Sequence, residues 1–571
     1  MKKLLGYVKK YKWYIIIGPF FKLLETLLEL LNPILVAKIV DVGVSTGDIG
    51  FIVRYGVILI VSNLVMFSFS CISNKCSAAT SVRVATDMRL DLFAKVSTLS
   101  HAELDKFGTA SLVNRMTSDI NQIENTISIF MRLMIRVPFL LVGAFVLSLV
   151  INIKMSLIFL VLIPIMLIMI LIYIKKTNPY FKLIRTKLDN ISRGTKENLS
   201  GTRVIRAFNK QETEQKRFEH TTADYTDNSI KVSKITSLLN PMIFLLVDAA
   251  TIALLAIGGW QVNIGSLTQG DIIALIDYVT IITISLLVLS QIIVLFVRTN
   301  ASLHRINEVL DTVPSVQNPE EKVQDKKQYK ALMEFDNVCF NYAFTQHTKS
   351  FIKDLSFKIM PNQTIGIIGG TGSGKSTIAH LMTRFYDVTS GEIRFKDRSI
   401  KDYSLEDLRS SISVVQQRST LFSGTIRENM QIRKNDATDE EIIEALKISQ
   451  AWSFVSEWPN PLDYKIMAGG KNVSGGQMQR LTIARAVIGK PEMLIFDDSS
   501  SALDFMTESK LMREIKKLNC ARVIISQRAT SIKNADLIIC LDNGDVVGMG
   551  KHNDLMKNCE IYREIYESQS K

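Results

Sequence analysis

The chain has 571 residues, of which 47% are hydrophobic and 22% charged, and a formal net charge of +13. At about 150 residues per domain, this length leaves room for several units. The apolar excess excludes a disordered or collagen-like chain, and its concentration in the first 300 residues argues against a simple soluble globule.

The N-terminal run MKKLLGYVKKYKW is basic and then passes into apolar sequence without a small-residue cleavage site. It reads as a short amphipathic surface helix leading into a first membrane span, not as a cleaved signal. A bilayer core needs about 20 mostly apolar residues per helix. Six stretches meet that need: Trp13–Val42, Phe51–Ile72, Ile129–Val150, Met155–Ile174, Pro241–Val262 and Ile272–Val297. Two long polar helical tracts, Val82–Glu124 and Lys175–Lys234, separate spans two from three and four from five. The remaining connectors, Gly43–Gly50, Ile151–Lys154 and Asn263–Gly270, are short and hold a single basic residue, Lys154. Lys and Arg concentrate in the long tracts and the N-terminus, so these segments and both termini are expected to face the cytoplasm. That placement accounts for most of the positive charge without a nucleic-acid partner, and no nucleic-acid-binding motif accompanies it.

Charges inside spans are costly and often functional. Lys22, Glu25 and Glu29 lie three and four residues apart on one face of span one, and Asp248 and Asp277 sit in spans five and six. One reading makes these five a net-acidic cavity lining for a small amphipathic or cationic substrate. The other pairs Lys22 with Glu25 and leaves the rest near an interface. Met155, Met166 and Met169 in span four read as adaptable packing.

After Leu310 the chain changes character. Val313–Lys330 holds Pro314, Pro319 and an acidic–basic run and reads as a linker; from Ala331 onward, short β-type runs alternate with helical patterns, an α/β arrangement. None of the six cysteines, Cys71, Cys76, Cys339, Cys520, Cys540 and Cys559, forms a CxxC pair, so reduced thiols are expected. The apolar run Thr364–Ile368 is followed by Gly369, Gly370, Thr371, Gly372, Ser373, Gly374, Lys375 and Ser376, which is GxxxxGK[ST] between a strand and a helix. Glycines let backbone N–H groups close on phosphate oxygens, and the helix that follows adds partial positive charge. Lys375 serves the β- and γ-phosphates and the Ser376 hydroxyl suits Mg²⁺. Further on, the apolar run Met493–Phe496 ends in Asp497, a carboxylate placed to hold Mg²⁺ beside such a loop.

Between these elements lies Asn472, Val473, Ser474, Gly475, Gly476, Gln477, which resembles the LSGGQ signature of the ATP-binding cassette (ABC) family. Tyr342 matches that family's adenine-stacking aromatic. Gln417, in Val414-Val415-Gln416-Gln417, matches its Q-loop glutamine, which also serves the metal. Ser501-Ala502-Leu503-Asp504 matches its D-loop. The tracts Gly108–Asp119 and Glu197–Phe208 resemble the two intracellular loops of exporters in which six spans precede one cassette. The resemblance thus covers nearly the whole chain. It implies a multi-pass helical membrane domain over 1–312, a linker over 313–330 and an α/β P-loop ATPase domain of ABC type over 331–571. It further implies ATP and Mg²⁺ as cofactors, with Thr377 next to the phosphate loop, and a bilayer setting in the cell membrane. One chain is half a transporter, so a second half is required.

Two positions depart from the family pattern. The general-base Glu that follows the Mg²⁺ Asp is Asp498 here, and the switch His after the next strand is Gln527. The six histidines, His101, His220, His304, His347, His380 and His552, all lie elsewhere. Asp is one methylene shorter than Glu, and a misplacement of about 1 Å costs around 10²-fold; Gln carries neither a proton nor a charge to the phosphate. The signature keeps SGGQ with only Val473 for Leu, while Ala468 stands where the cross-talk loop often has an acid. A poor phosphate side and a good signature side together imply a heterodimer whose partner supplies the intact Glu and His. The alternatives are a homodimeric exporter with an active atypical site, and an ATP-gated channel or sensor. Directional accumulation in vesicles with substrate-stimulated turnover separates transport from the last two.

Overall fold

The computed structural model describes residues 2–319, 328–342, 351–499 and 503–569. Its backbone divides into two compact units, one of residues 1–95 and 112–311, the other of 96–111 and 312–571.

The first unit is all helical. A short helix, Lys2–Lys9, leads into Lys12–Lys38, and the helices Ile49–Thr98, Arg136–Ile151, Ile153–Ser200, Leu239–Asn263 and Gln269–Asp311 follow. Five helical stretches among the described residues are long and apolar enough to cross a bilayer. Lys12–Lys38, the sixth expected span, is helical as well but carries Lys22, Glu25 and Glu29 in its middle. Ile49–Thr98 has 50 residues, about 75 Å at 1.5 Å per residue, far more than the roughly 30 Å of a hydrocarbon core. The excess includes Val82–Thr98, the first part of the polar tract read from the sequence; after Thr98 the rest of that tract breaks into shorter helices, beginning with His101–Phe107 and Thr109–Asn114. Leu140, Ala144, Met155, Phe159, Leu162, Met166, Leu254 and Tyr278 form the core of the bundle. Met155 and Met166 are fully buried there, as packing side chains. The Tyr278 hydroxyl donates to the Leu30 carbonyl at 3.0 Å.

The first span ends in a wide helical turn, Ile39–Val44. Its Asp41 accepts from the Gly270 N–H at 2.7 Å and the Thr268 hydroxyl at 2.6 Å, tying this turn to the start of Gln269–Asp311. The backbones approach so closely that a Cβ on Gly270 would lie 2.3 Å from the Ala37 carbonyl oxygen and 2.5 Å from Asp41 Oδ2. Gly270→Ala is therefore expected to cost about 1–3 kcal/mol, read as a lower thermal midpoint of the full chain. Gly259→Ala, whose Cβ meets nothing within 4 Å, is the matched control and leaves the midpoint unchanged.

The second unit is built on two sheets. The larger orders its strands Asp545–Gly550, Leu537–Asp542, Thr364–Gly369, Ala521–Ile525, Met493–Asp497 and Ile412–Val415, all parallel except the first. The central strands are mostly apolar, as strands covered on both faces are, and every residue of Met493–Asp497 and Ala521–Ile525 is buried. The smaller antiparallel sheet orders Ile352–Ile359, Met333–Phe340, Ser390–Phe395 and Arg398–Ser399. Phe335, Phe395, Ile378, Ile495 and Val523 belong to one core cluster that joins the two sheets.

The short helix His101–Phe107 also belongs to this unit. Ser100 and Glu103 close its start as a capping box. The His101 ring stacks on Phe385 with centroids 4.1 Å apart, and the Tyr386 hydroxyl donates to Asp105 at 2.5 Å. Burial, with His380 and Arg409 nearby, pushes His101 below the usual histidine range.

Candidate active site

In a parallel sheet, ligands bind at the carboxyl ends of the strands. Ile525 pairs with Ile367 on one side and with Asp497 on the other. This register brings three segments to one edge: the loop after Gly369, the carboxylate of Asp497 and the segment after Ile525.

The loop after Gly369 has the form of an anion cradle. Gly372 and Gly374 hold φ of +81° and +100°. A Cβ on Gly374 would meet Ile352 at 2.4 Å, and one on Gly369 would lie 2.2 Å from the Leu541 carbonyl oxygen, so the strand-to-loop corner admits only glycine. The helix Lys375–Met382 starts directly after it. Lys375 Nζ folds back onto the loop and donates to the carbonyls of Gly369 at 2.8 Å and Gly370 at 2.6 Å. Burial holds Lys375 below the usual lysine range, opposed by the charges of Asp498 and Asp497. The Ser373 hydroxyl is buried in the loop without a hydrogen-bond partner among the described residues. A polyphosphate fits this arrangement, since it would take the Lys375 ammonium, the open hydroxyl and the loop N–H groups together. Thr371, exposed on the loop, leaves its mouth accessible.

The Ser376 hydroxyl donates to Asp497 Oδ1 at 2.8 Å. Burial raises the Asp497 carboxyl above its usual range, opposed by the Ser376 hydrogen bond. This hydroxyl–carboxylate pair beside the cradle suits a hard divalent cation, which takes oxygen ligands. Gln417 is on the same side, its Nε2 3.3 Å from Asp498 Oδ2. Asp498 itself has φ +46°, the left-handed region, and its N–H donates to the Ile525 carbonyl at 2.8 Å. Strain of that kind in a non-glycine residue persists where surrounding structure holds it, and often at functional sites. Gln527 is exposed at the end of Ala521–Ile525.

Tyr342 packs edge-on against Phe340, Phe351 and Tyr386, with its hydroxyl 3.0 Å from Thr377 Oγ1. It is thereby tied to the helix that follows the phosphate loop. Ser474 caps the helix Gly475–Val487: its hydroxyl accepts from the Gln477 N–H at 3.3 Å, and Gln477 Oε1 accepts from the Ser474 N–H at 2.9 Å. Ser474 and Gly475 are exposed, with Val473 and Gly476 half-buried beside them, so the positive end of this helix is open to solvent. Asp504 caps Phe505–Lys516 by accepting from the Thr507 N–H at 2.9 Å, which holds its carboxyl below the usual range. Ser501 and Ala502 lie outside the described residues.

The charged residues of the spans are arranged differently from an acidic lining. Lys22 and Glu25 are both buried and bind each other at 2.7 and 2.8 Å. Glu29 accepts from Arg136, at the start of another helix, at 2.8 Å. These three thus carry their own counter-charges. Asp248 and Asp277 are exposed on their helices and make no ion pair among the described residues. Sequence reasoning missed the Arg136 partner, which lies 107 positions from Glu29. It also gave no sign of Gln569, whose side chain reaches the segment after Ile525.

Comparison with known proteins agrees with this geometry. Residues 15–286 match the family profile of the ABC transporter transmembrane region, and residues 352–501 that of the ABC transporter. The chain is 34% identical over 569 residues to YfiB of Bacillus subtilis, an uncharacterised ABC transporter ATP-binding protein, covering 100% of this chain and 98% of that one. It is 30% identical to an uncharacterised ABC transporter ATP-binding protein of Mycobacterium tuberculosis, covering 99% and 97%. A bacterial Atm1-family ABC exporter with ATP bound shares the fold, with a TM-score of 0.81 at 21% identity over 98% of this chain and 99% of that one. The chain belongs to the ABC transporter family, as a multi-pass membrane half-transporter of exporter fold that joins a transmembrane region to one ATP-binding domain.

Proposed function

We propose that this chain is one subunit of a heterodimeric ATP-driven exporter, and that its own phosphate loop clamps ATP with little hydrolysis. The carrying observation is the pair at the carboxyl edge of the sheet. The short carboxylate of Asp498 stands in the general-base position and the uncharged Gln527 in the switch position. The described histidines nearest in sequence have other roles: His380 packs beside Phe385 and Tyr386, and His552 bonds the Tyr562 hydroxyl at 2.8 Å.

In this reading Lys375, Ser373 and the loop N–H groups bind the phosphates, and Tyr342 flanks the adenine. Ser376, Asp497 and Gln417 would hold Mg²⁺, which offsets charge on the phosphate oxygens. Asp504 caps the start of Phe505–Lys516. The exposed Ser474–Gln477 helix end completes the ATP site of a partner half-transporter, which brings its own Glu and His. The N-terminus, the long polar tracts and the ATP-binding domain face the cytoplasm of the cell membrane. Asp248 and Asp277, which make no ion pair among the described residues, favour a small amphipathic or cationic substrate.

The test is ATP turnover by the purified chain alone in lipid nanodiscs, with Asp497→Asn as the blank. Turnover close to the blank with ATP still bound is expected. A rate of about 1 s⁻¹ or more, the low end of ordinary enzymes, overturns the reading and makes a homodimer with an active Asp498 the better account.

A further inference from the structure

We propose that Gln569 is a positioning residue for the nucleotide site, acting through the main chain that carries Gln527. The inference rests on the reading of this site as an ATP clamp.

The helix Glu560–Gln569 packs against the helices His552–Asn558 and Ala529–Ile532, and its end reaches the segment after Ala521–Ile525. Tyr562 anchors it, fully buried and bonded to His552. One turn on, the Tyr566 hydroxyl accepts from Lys533 at 3.3 Å, and the ammonium also lies 5.5 Å from the ring centre. At the last turn the Gln569 carboxamide makes two hydrogen bonds. Its Nε2 donates to the Gln527 carbonyl at 2.7 Å, and its Oε1 accepts from the Ala529 N–H at 2.8 Å. These partners lie on either side of Arg528, so a single planar group fixes the main chain at both ends of that residue. An amide suits both partners, with its donor and acceptor on separate atoms of one plane. A main-chain carbonyl only accepts and a main-chain N–H only donates, so the side chain must do both.

Glu508 also holds this segment: it accepts from the Ser531 hydroxyl at 2.8 Å and lies 3.9 Å from Arg528. Glu508 is on the helix capped by Asp504. The switch segment is therefore bonded by both that helix and the Glu560–Gln569 helix. Gln527 is exposed and makes no side-chain hydrogen bond among the described residues, so its position follows the main chain that Gln569 holds. A switch glutamine acts at the γ-phosphate, which ADP lacks, so the clamp shows itself in preference for ATP over ADP.

The experiment measures ATP and ADP affinities, with Mg²⁺, of the full chain in nanodiscs for wild type, Gln569→Ala, Gln569→Glu, Gln527→Ala and the double variant Gln527→Ala/Gln569→Ala. Wild type is expected to prefer ATP. Gln569→Ala should cut that preference by about tenfold, the scale of one or two net hydrogen bonds, with ADP affinity and thermal midpoint unchanged. Gln569→Glu, which keeps the acceptor but sets a carboxylate against the Gln527 carbonyl, should lose at least as much. In the Gln527→Ala background, Gln569→Ala should have no further effect. Full ATP preference in Gln569→Ala overturns the inference and leaves the ATP-clamp reading standing. A loss that persists undiminished without the Gln527 side chain also overturns it. A wild type that binds ADP as well as ATP overturns the ATP-clamp reading, and the inference with it.

Discussion

The full chain carrying Asp498→Glu together with Gln527→His is expected to release phosphate from ATP about 10²-fold faster than wild type. The backbone at Asp498 is fixed, with φ +46° and its N–H on the Ile525 carbonyl, so a longer side chain extends from the same root. One more methylene advances the carboxylate by about one bond length, and a correction of about 1 Å is worth around 10²-fold in a well-placed step. Histidine at 527 adds a group that carries positive charge near neutral pH. The signature needs no repair, because Ser474–Gln477 already caps an exposed helix start, and two copies of the variant offer each other a complete site. Either substitution alone should gain less than the pair. A double variant no faster than wild type would place the defect elsewhere, with Ala468 and the segment before the signature as the next position to alter.

Glu25→Ala in the full chain is expected to cost about 3–5 kcal/mol in stability, the penalty for leaving one member of a buried ion pair uncompensated. Lys22 is only 5% exposed, and its carboxylate partner is the sole counter-charge it binds among the described residues. The ammonium would be left buried without a counter-charge. Replacing both, as Lys22→Met with Glu25→Leu, should be near neutral, because an apolar pair of similar volume avoids desolvating two charges. Thermal midpoints in detergent rank the three forms. If Glu25→Ala keeps the wild-type midpoint but changes substrate-stimulated ATP turnover, the pair lines a transport path instead of stapling a helix.

These two predictions show where the sequence was legible. The phosphate loop and Asp497 are short motifs, each carried by one strand-to-loop junction, and local spacing suffices to find them; the signature and the departures at Asp498 and Gln527 are legible through the resemblance to the ABC family. The spans were readable for a similar reason, since a bilayer imposes a length and a composition. Lys22 and Glu25 were separable as a pair because three residues along a helix is one face. Glu29 was not, because its partner Arg136 comes from another helix and nothing in the intervening chain marks it. Gln569 and the packing of His101 on Phe385 are of the same kind: an ordinary polar side chain and an ordinary aromatic, given their meaning only by chain folding. The left-handed backbone of Asp498 was equally silent, since aspartate is tolerated there without the glycine that would have flagged the turn.

Composition changes over 313–330, yet the second compact unit also owns residues 96–111. A recombinant fragment begun at Ala331 would strip Phe385 of the His101 ring and Tyr386 of the Asp105 carboxylate, and would leave the cap formed by Ser100 and Glu103 on a different polypeptide. This compact unit is thus discontinuous in sequence. A faithful version must carry the 96–111 peptide in cis through a short tether, or receive it in trans, before its stability can be compared with that of the whole chain.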